Sequence, residues 1–407
     1  MKSDSLKVVM LCSLCLLYLF KTPAFALTDS IPRKAAGEKV VYLKLKLSSM
    51  AAVTVSKAPL KYNKHLALSF TLDDGYRSAF LTAYPLLHGG RISPPFPDEW
   101  KNDEGGDGSY SAGLFFSDGC AHAIPFRLGI AINAAGIGEL PVNRGHLSWP
   151  EVHTLYQSGW DILNHGYHHA TKHGTDYENE VLQNVSLVKN KLGFTMTQFI
   201  VPGGEGDKDY QKAYEQAALK NGSFSVASVN GAEPLIPVKD TVNLTSLIYK
   251  RDFMSSGNIP LATAKQRLSL LDSLMRLTEP AWLHEFTHGV GNSNLWSLSV
   301  VFPEFKYYMT TIAGKYGQKG TDKLWMAPWQ EVYEYIWLRD RVKIETTQKG
   351  QELIIKMILP EIPDTFRHTA ISLNIQTTSS FDLISQSSNL SVSYHGKGDK
   401  KLININL

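Results

Sequence analysis

Asp73-Asp74-Gly75 closes the apolar run Leu66-Ala67-Leu68-Ser69-Phe70-Thr71-Leu72, and about ninety residues later Asn164-His165-Gly166-Tyr167-His168-His169 closes another. Two imidazoles four residues apart and one carboxylate offer a divalent ion three protein ligands, leaving a position for a water whose pKa the ion lowers toward neutrality. The second carboxylate of the pair is then free to act as a base. Neither piece carries this alone. An isolated Asp-Asp-Gly is usually a turn, because Asp and Gly accept turn geometry easily, and an isolated His-x-x-x-His on a polar loop is usually a chance pair. Their order within one alternating α/β rhythm is what joins them into a site.

That rhythm begins near residue 61, where short apolar runs start to alternate with helical periods, the pattern of an α/β domain with parallel strands. The spacing predicts a strand over 66–72 and a helix over 78–87. A Gly-, Pro- and Asp-rich loop follows over 89–108, where substrate contacts often sit, and a second buried strand over 124–131. Ser148-Trp149-Pro150-Glu151 has capping-box spacing, Val152, Leu155 and Tyr156 supply the buried face of its helix, and Gly159 ends it. Residues 160–163 then form a short strand that delivers the histidines. The unit recurs as a helix over 179–192 capped by Gly193, a strand over 198–201, the loop Pro202-Gly203-Gly204 and a helix over 210–220. Leu261, Ala264, Leu268, Leu271 and Met275 make a helical stripe, and the strand 281–287 ends at His288. Helices are expected over 304–316 and 330–338, with a strand over 324–327 between them. The motif residues all fall at or just after strand ends, where barrels of parallel strands place their active sites.

Beyond about residue 340 the helical periods give way to alternating runs at 342–345, 353–358, 371–375, 390–394 and 402–405. They predict a small antiparallel C-terminal β domain (341–407), a sandwich that the early strands at 39–47 and 51–56 can complete. The expected organisation is thus a leader (1–26), N-terminal strands (27–60), a barrel (61–340) and the β domain.

The leader is read from Lys2 and Lys7 ahead of an apolar stretch, 8–20, with Ala24-Phe25-Ala26 as a small-residue cleavage point. The stretch is shorter than the roughly 20 apolar residues of a spanning helix, and no later segment is long enough. Cys12 and Cys15 lack small residues just ahead of them, which speaks against a lipoprotein anchor, so the expectation is a periplasmic or secreted protein with no membrane span after cleavage. Cleavage after Ala26 removes three lysines and one aspartate, a net two positive charges, taking the formal charge from +3 to +1. Nothing in that charge favours nucleic acid. Only Cys120 remains, so no internal disulfide forms and stability must come from a core that 43% hydrophobic residues can supply. With no base identifiable near it, Cys120 reads as an inert thiol, and Glu205 and Asp207 as solvated loop charges.

The residues resemble the polysaccharide deacetylases with a NodB-homology domain, carbohydrate esterase family 4. Thr71-Leu72-Asp73-Asp74-Gly75 is similar to the family's Thr-Phe-Asp-Asp-Gly motif and His165-Gly166-Tyr167-His168-His169 to its His-(Ser/Thr)-x-x-His motif. The segment from Leu147 to His165 is similar to the helix and strand that introduce the second motif, and the resemblance spans roughly 61–338. It implies an α/β fold with a distorted (β/α) barrel of about seven parallel strands. Carried over residue by residue, it implies Asp73 as general base, Asp74, His165 and His169 as metal ligands, His288 as general acid, and the N–H of Gly203 on the oxyanion. His168 has the wrong spacing from His165 for that pattern, so it is expected to support a ligand or to face solvent. The family's Arg-Pro-Pro-Tyr-Gly segment appears as Ile200-Val201-Pro202-Gly203-Gly204, so the arginine that orients the base is missing, and Arg251 is the candidate to replace it from another loop. Trp282-Leu283-His284 also resembles the family's Leu-x-His pattern, making His284 the alternative acid. His288 is preferred because it ends the strand, whereas His284 lies two pleats deeper on the same face. Trp325 is a candidate sugar-binding surface, with a core tryptophan as its plain alternative.

The resulting expectation is a zinc-dependent hydrolase, with cobalt, nickel or iron acceptable to the same ligands, that removes N-acetyl groups from an acetylated glycan. Its rivals are an O-acetyl esterase or cyclic-amide hydrolase of the same superfamily, and a glycan-binding protein that has lost catalysis.

Overall fold

The computed structural model describes residues 39–96, 105–140, 145–203, 208–230, 235–238, 241–242, 244, 248–291 and 300–407. The expected leader, Gly204, Glu205, Asp207 and the middle of the 89–108 loop lie outside the described residues.

Leu66–Leu72 and Ala281–Thr287 are buried along their whole length. Strands covered on both faces are the mark of a parallel sheet wrapped by helices. The two pair in parallel from Ala281↔Leu66 to Thr287↔Leu72. On the far side of Leu66–Leu72 come, in order, Gly129–Ile132, Asp161–Asn164, Gln198–Ile200, Ser225–Ser228 and Ile248–Lys250, all parallel. The last of these closes the ring. After Lys250 the chain passes through Arg251 into Asp252–Phe253, which pairs in parallel with Glu285 and Phe286. One short stretch thus touches Ser225–Ser228 on one side and Ala281–Thr287 on the other, and seven strands curl into a distorted barrel. Closure is confined to the carboxyl ends. Lower down, Leu324–Met326 occupies the edge at Leu66–Leu68, and Leu235–Pro237 runs antiparallel to Ala281–Leu283.

Helices Trp149–Gln157, Tyr177–Leu192, Lys208–Lys220, Ala262–Leu274, Phe302–Tyr316 and Trp329–Arg341 accompany these strands. The capping box at Ser148 and Glu151 is present. Asp176 accepts the N–H of Asn179 at the start of the next helix, and Gly193, at φ 80°, ends it. Two expectations change. Residues 78–87 begin as a π-helical segment, Ala79–Ala83, and become α-helical only at Tyr84–His88, beside Pro85, which has no N–H to donate. The run 124–131 is two elements. Ala123–Pro125 forms a hairpin with Phe115–Ser117, Arg127 turns inward to Glu331 at 2.7 Å, and only Gly129–Ile132 joins the barrel. The strands Ser225–Ser228, Leu235–Pro237, Ile248–Lys250 and Phe381–Gln386 had no periodic signal strong enough to reveal them, most being only three or four residues long.

The C-terminal strands form two antiparallel four-stranded sheets, and each takes in one early strand. Lys39–Leu47 sits between Glu352–Leu359 and Phe381–Gln386, and Thr54–Lys57 pairs with Ala370–Gln376. Leu43, Leu45, Ile355, Leu373 and Ile403 are among the side chains filling the space between them. Lys57 Nζ donates to the Val342 carbonyl at 2.9 Å, Tyr335 Oη to that of Ala58 at 2.7 Å and Arg367 to that of Trp160 at 2.8 Å. Sandwich and barrel therefore belong to one compact unit, Glu38–Leu407.

Candidate active site

The carboxyl ends of the strands converge on a cavity of about 190 Å³ lined by Asp73, Asp74, His165, His169, Gly203, Arg251 and His288, with Val201, Val229, Phe253 and Phe286 as its apolar wall. Asp74 reaches it from a left-handed turn at φ 70°, continued by Gly75 at φ 68°. A side chain at Gly75 would be strained there and would press on Ile137 at 3.1 Å. His165 follows Asp161–Asn164, is almost wholly buried, and donates from Nδ1 to the Ile200 carbonyl at 2.9 Å. That bond fixes the ring orientation and leaves Nε2 facing Asp74 Oδ1, 3.4 Å away. His169, itself left-handed at φ 59°, brings its Nε2 to 3.6 Å from the same oxygen.

One donor atom from each of these three residues lies within 4.8 Å of the other two, and Asp74 Oδ1 is buried without a hydrogen-bond partner among the described residues. Converging lone pairs and an orphaned buried carboxylate oxygen suit a divalent cation, so the donor set can bind one. Burial opposes ionisation of Asp74, but His165, with smaller help from His288 and His169, holds it far below the ordinary carboxylate range.

An asparagine frame holds the histidine loop. Asn133 Nδ2 donates to the carbonyls of His165 and Gly166, Asn164 Oδ1 accepts from the Gly166 N–H at 3.0 Å, and Asn184 Nδ2 donates to Asn164 Oδ1 at 2.7 Å. His168 faces away, its Nδ1 2.8 Å from Oε1 of the buried Glu180 and its backbone N–H donating to Oε2 at 2.8 Å. The asparagines were not read from the sequence, because nothing in their local spacing distinguishes them from turn residues.

Asp73 is held differently from Asp74. Arg251 donates from both terminal nitrogens to its two carboxylate oxygens, at 2.9 and 2.8 Å, and each side chain is no more than 3% exposed. The guanidinium also lies over the Phe286 ring, 4.0 Å from its centroid. Burial pushes the Asp73 pKa up, yet Arg251, helped by His165 and His288, leaves it below its ordinary value near 3.8. The arginine missing at Ile200 thus has a counterpart in Arg251, placed where the closing strand changes partners. Its contact is with both carboxylate oxygens of Asp73.

His288 lines the cavity one residue beyond Ala281–Thr287, its ring edge-on to Phe253 at 5.6 Å. His284 does not reach it. It sits fully buried inside the barrel among Trp282, Tyr249 and Trp329, and neither ring nitrogen has a partner among the described residues. Burial, with Arg251 adding to it, pushes its pKa down to about 3, so it stays neutral. Gly203 lines the cavity at φ 60°, with its carbonyl held by Tyr210 Oη at 2.6 Å. Trp325 corrects an expectation. It is fully buried on Leu324–Met326, packed edge-on against Tyr335 at 5.5 Å, and presents no surface to a sugar. At Cys120, burial and Asp118 push the thiol up to about 11, which keeps it protonated.

A parallel barrel that closes around an Asp-His-His donor set defines the class, an α/β barrel whose mouth carries a candidate metal site. Residues 118–222, which carry both histidines and Gly203, match the family model described as Polysaccharide deacetylase. A search of curated protein sequences gave no match. Among solved structures, the chain resembles the Streptococcus pyogenes deacetylase PplD in complex with acetate (13% identity, 45% of this chain and 63% of that one, TM-score 0.28). It also resembles the polysaccharide deacetylase Bc1974 from Bacillus cereus (12%, 65% and 91%, 0.34) and a mutant of the peptidoglycan deacetylase PdaC from Bacillus subtilis (8%, 67% and 92%, 0.31). The chain spans just under two thirds of the first of these.

Proposed function

We propose that the protein is a metal-dependent deacetylase that hydrolyses N-acetyl groups on a saccharide. The observation that carries this reading is the pairing of two functions on adjacent residues: Asp74 completes a three-donor set with His165 and His169, while Asp73 beside it is kept ionised by Arg251. A divalent ion held by Asp74, His165 and His169, with zinc the best match to two imidazoles and one carboxylate, would supply Lewis acidity that lowers the pKa of water and polarises an acyl oxygen.

The chain's own residues supply the rest. Asp73 accepts the proton of the attacking water, and because the arginine fork holds both oxygens it does so from one orientation. His288, in the lining of the same cavity, donates a proton to the departing nitrogen. An amine leaves only when protonated, so a separate acid favours amide over ester hydrolysis. The Gly203 N–H is assigned to the acyl oxygen. Val201, Val229, Phe253 and Phe286 form a dry wall suited to an acyl methyl group. The contact of Arg251 with Asp73, where the family arginine is missing at Ile200, supports catalysis over a binding protein that has lost it. The leader pattern in residues 1–26 supports action outside the cytoplasm, and no helix among the described residues is long and apolar enough to cross a membrane.

The test is acetate release from N-acetylglucosamine oligomers and from acetylated xylan, with and without chelator. Chelator-sensitive release from the amides supports the proposal. Release from xylan alone would move it to an esterase, and no release from either by metal-loaded protein would overturn it.

A further inference from the structure

The short pairing that closes the barrel also carries the charge that holds the base. Arg251 stands between Ile248–Lys250, which pairs with Ser225–Ser228, and Asp252–Phe253, which pairs with Glu285 and Phe286. Its own N–H donates to the Ser228 carbonyl at 3.1 Å, and the Met254 N–H donates to the Phe286 carbonyl at 2.8 Å. Two paired residues make a short seam, so the aim of the guanidinium depends on how rigidly they are held. Successive strand residues point to opposite faces, so Arg251 turns inward to Asp73 while Asp252 turns outward.

On that outer face the seam carries its own repulsion. Asp252 lies directly opposite Glu285 in the register, and Glu285 is fully buried. Two carboxylates side by side and away from water push each other apart. Arg267, on helix Ala262–Leu274, lies against both. Its Nη1 donates to Asp252 Oδ2 at 2.9 Å and stands 3.7 Å from Glu285 Oε1, an oxygen with no hydrogen-bond partner among the described residues. Its Nη2 donates to the Phe253 carbonyl at 2.5 Å, and Tyr308 Oη donates to the other Glu285 oxygen at 2.6 Å. One planar fork thus ties a side chain and a carbonyl of the closing strand to the strand that ends at His288. Only 15% of its side chain is exposed, so solvent screens these contacts little.

We infer that Arg267 is a positioning residue, which holds Asp252 and Phe253 against Glu285 and so keeps Arg251 aimed at Asp73. The inference rests on the reading of Asp73 as the base and deepens it. Arg267 acts from outside the barrel, through the backbone of the residues that follow Arg251.

The experiment uses the zinc-loaded full chain and the variants Arg267→Met and Arg267→Lys, each alone and combined with Arg251→Met, with urea unfolding and acetate release from N-acetylglucosamine tetramer measured separately. The fall in urea midpoint caused by Arg251→Met should be smaller in the Arg267→Met background than in the wild type, because a guanidinium no longer held in place has less to lose. Independent residues would instead give additive losses. In turnover, Arg267→Met should lower kcat about 10- to 100-fold, the scale of a misaligned catalytic group, with KM little changed. Arg267→Lys keeps the charge but not the fork, so it should fall between wild type and Arg267→Met, and it serves the same cycle if the methionine variant does not fold. Tyr308→Phe removes the neighbouring bond to Glu285 without touching Asp252 or Phe253, and its kcat should stay near that of the wild type. Additive midpoint losses, a loss carried in KM, unchanged kcat in both Arg267 variants, or an equal loss of kcat in Tyr308→Phe would overturn the inference. Non-additive midpoints with no acetate release from the wild type would instead overturn the hydrolytic reading and leave the brace standing.

Discussion

Arg251→Met isolates the role of the guanidinium on Asp73. Methionine keeps an unbranched apolar side chain that can still lie on Phe286, but it removes both bonds to the carboxylate. Because the two side chains are 3% and 2% exposed, solvent screens the pair little, and its loss leaves a buried carboxylate without a counter-charge. Breaking such a pair costs about 3–5 kcal/mol, against a total stability of about 5–15 kcal/mol for an ordinary domain. The sign with pH follows. In the wild type the Asp73 pKa is lowered on folding, so the pair's contribution is present above the unfolded value near 3.8 and is lost as pH falls through the folded one. In the variant, burial raises the Asp73 pKa with only His165 and His288 left to oppose it, so protonation relieves the buried charge. Urea unfolding at pH 7.5 and pH 5 should therefore show a wider gap between wild type and variant at the higher pH. Adding Asp73→Asn to the variant should recover most of the loss. In turnover, the acid limb of kcat/KM should move to higher pH. A loss of only about 1 kcal/mol, the size of an exposed pair, that does not change with pH would refute the reasoning.

Further outcomes follow from the same geometry. Asp73→Asn should keep the metal, measured by elemental analysis, while lowering kcat about 10²- to 10⁴-fold; loss of metal would mean that Asp73 is itself a ligand. His165→Ala should lower metal affinity, and an unchanged metal content would count against the donor set. His288→Gln should lower kcat while leaving the melting temperature near that of the wild type. His284→Leu should do the reverse of a catalytic lesion. It replaces two partnerless buried nitrogens with apolar volume, so stability should hold or rise and turnover should persist, whereas a collapse of turnover would return the acid role to His284.

What the sequence determined by itself is local: runs of buried residues that become strands, the caps that begin and end several helices, and the short polar loops that follow strands. Asp74, His165 and His169 were legible because each lies within a few residues of the strand that aims it, so spacing stands in for geometry. The assignment of alternating C-terminal runs to antiparallel strands was legible for the same reason, since period-two alternation is itself the exposure of one sheet face. Tertiary structure decided whatever depends on which distant elements meet. Arg251 is 178 residues from Asp73, and it reaches the carboxylate only because the short strand carrying it leaves Ser225–Ser228 and pairs with Ala281–Thr287. His288 and His284 share a strand and a face, and only closure of the ring shows one at the mouth and the other walled in by Tyr249 and Trp329. Trp325 looked able to meet a sugar until Leu324–Met326 was seen to pack it inside. A strand's pattern records which side is buried, but not how deep in the barrel a position lies or what stands opposite, because those are set by pairing between segments far apart in the chain.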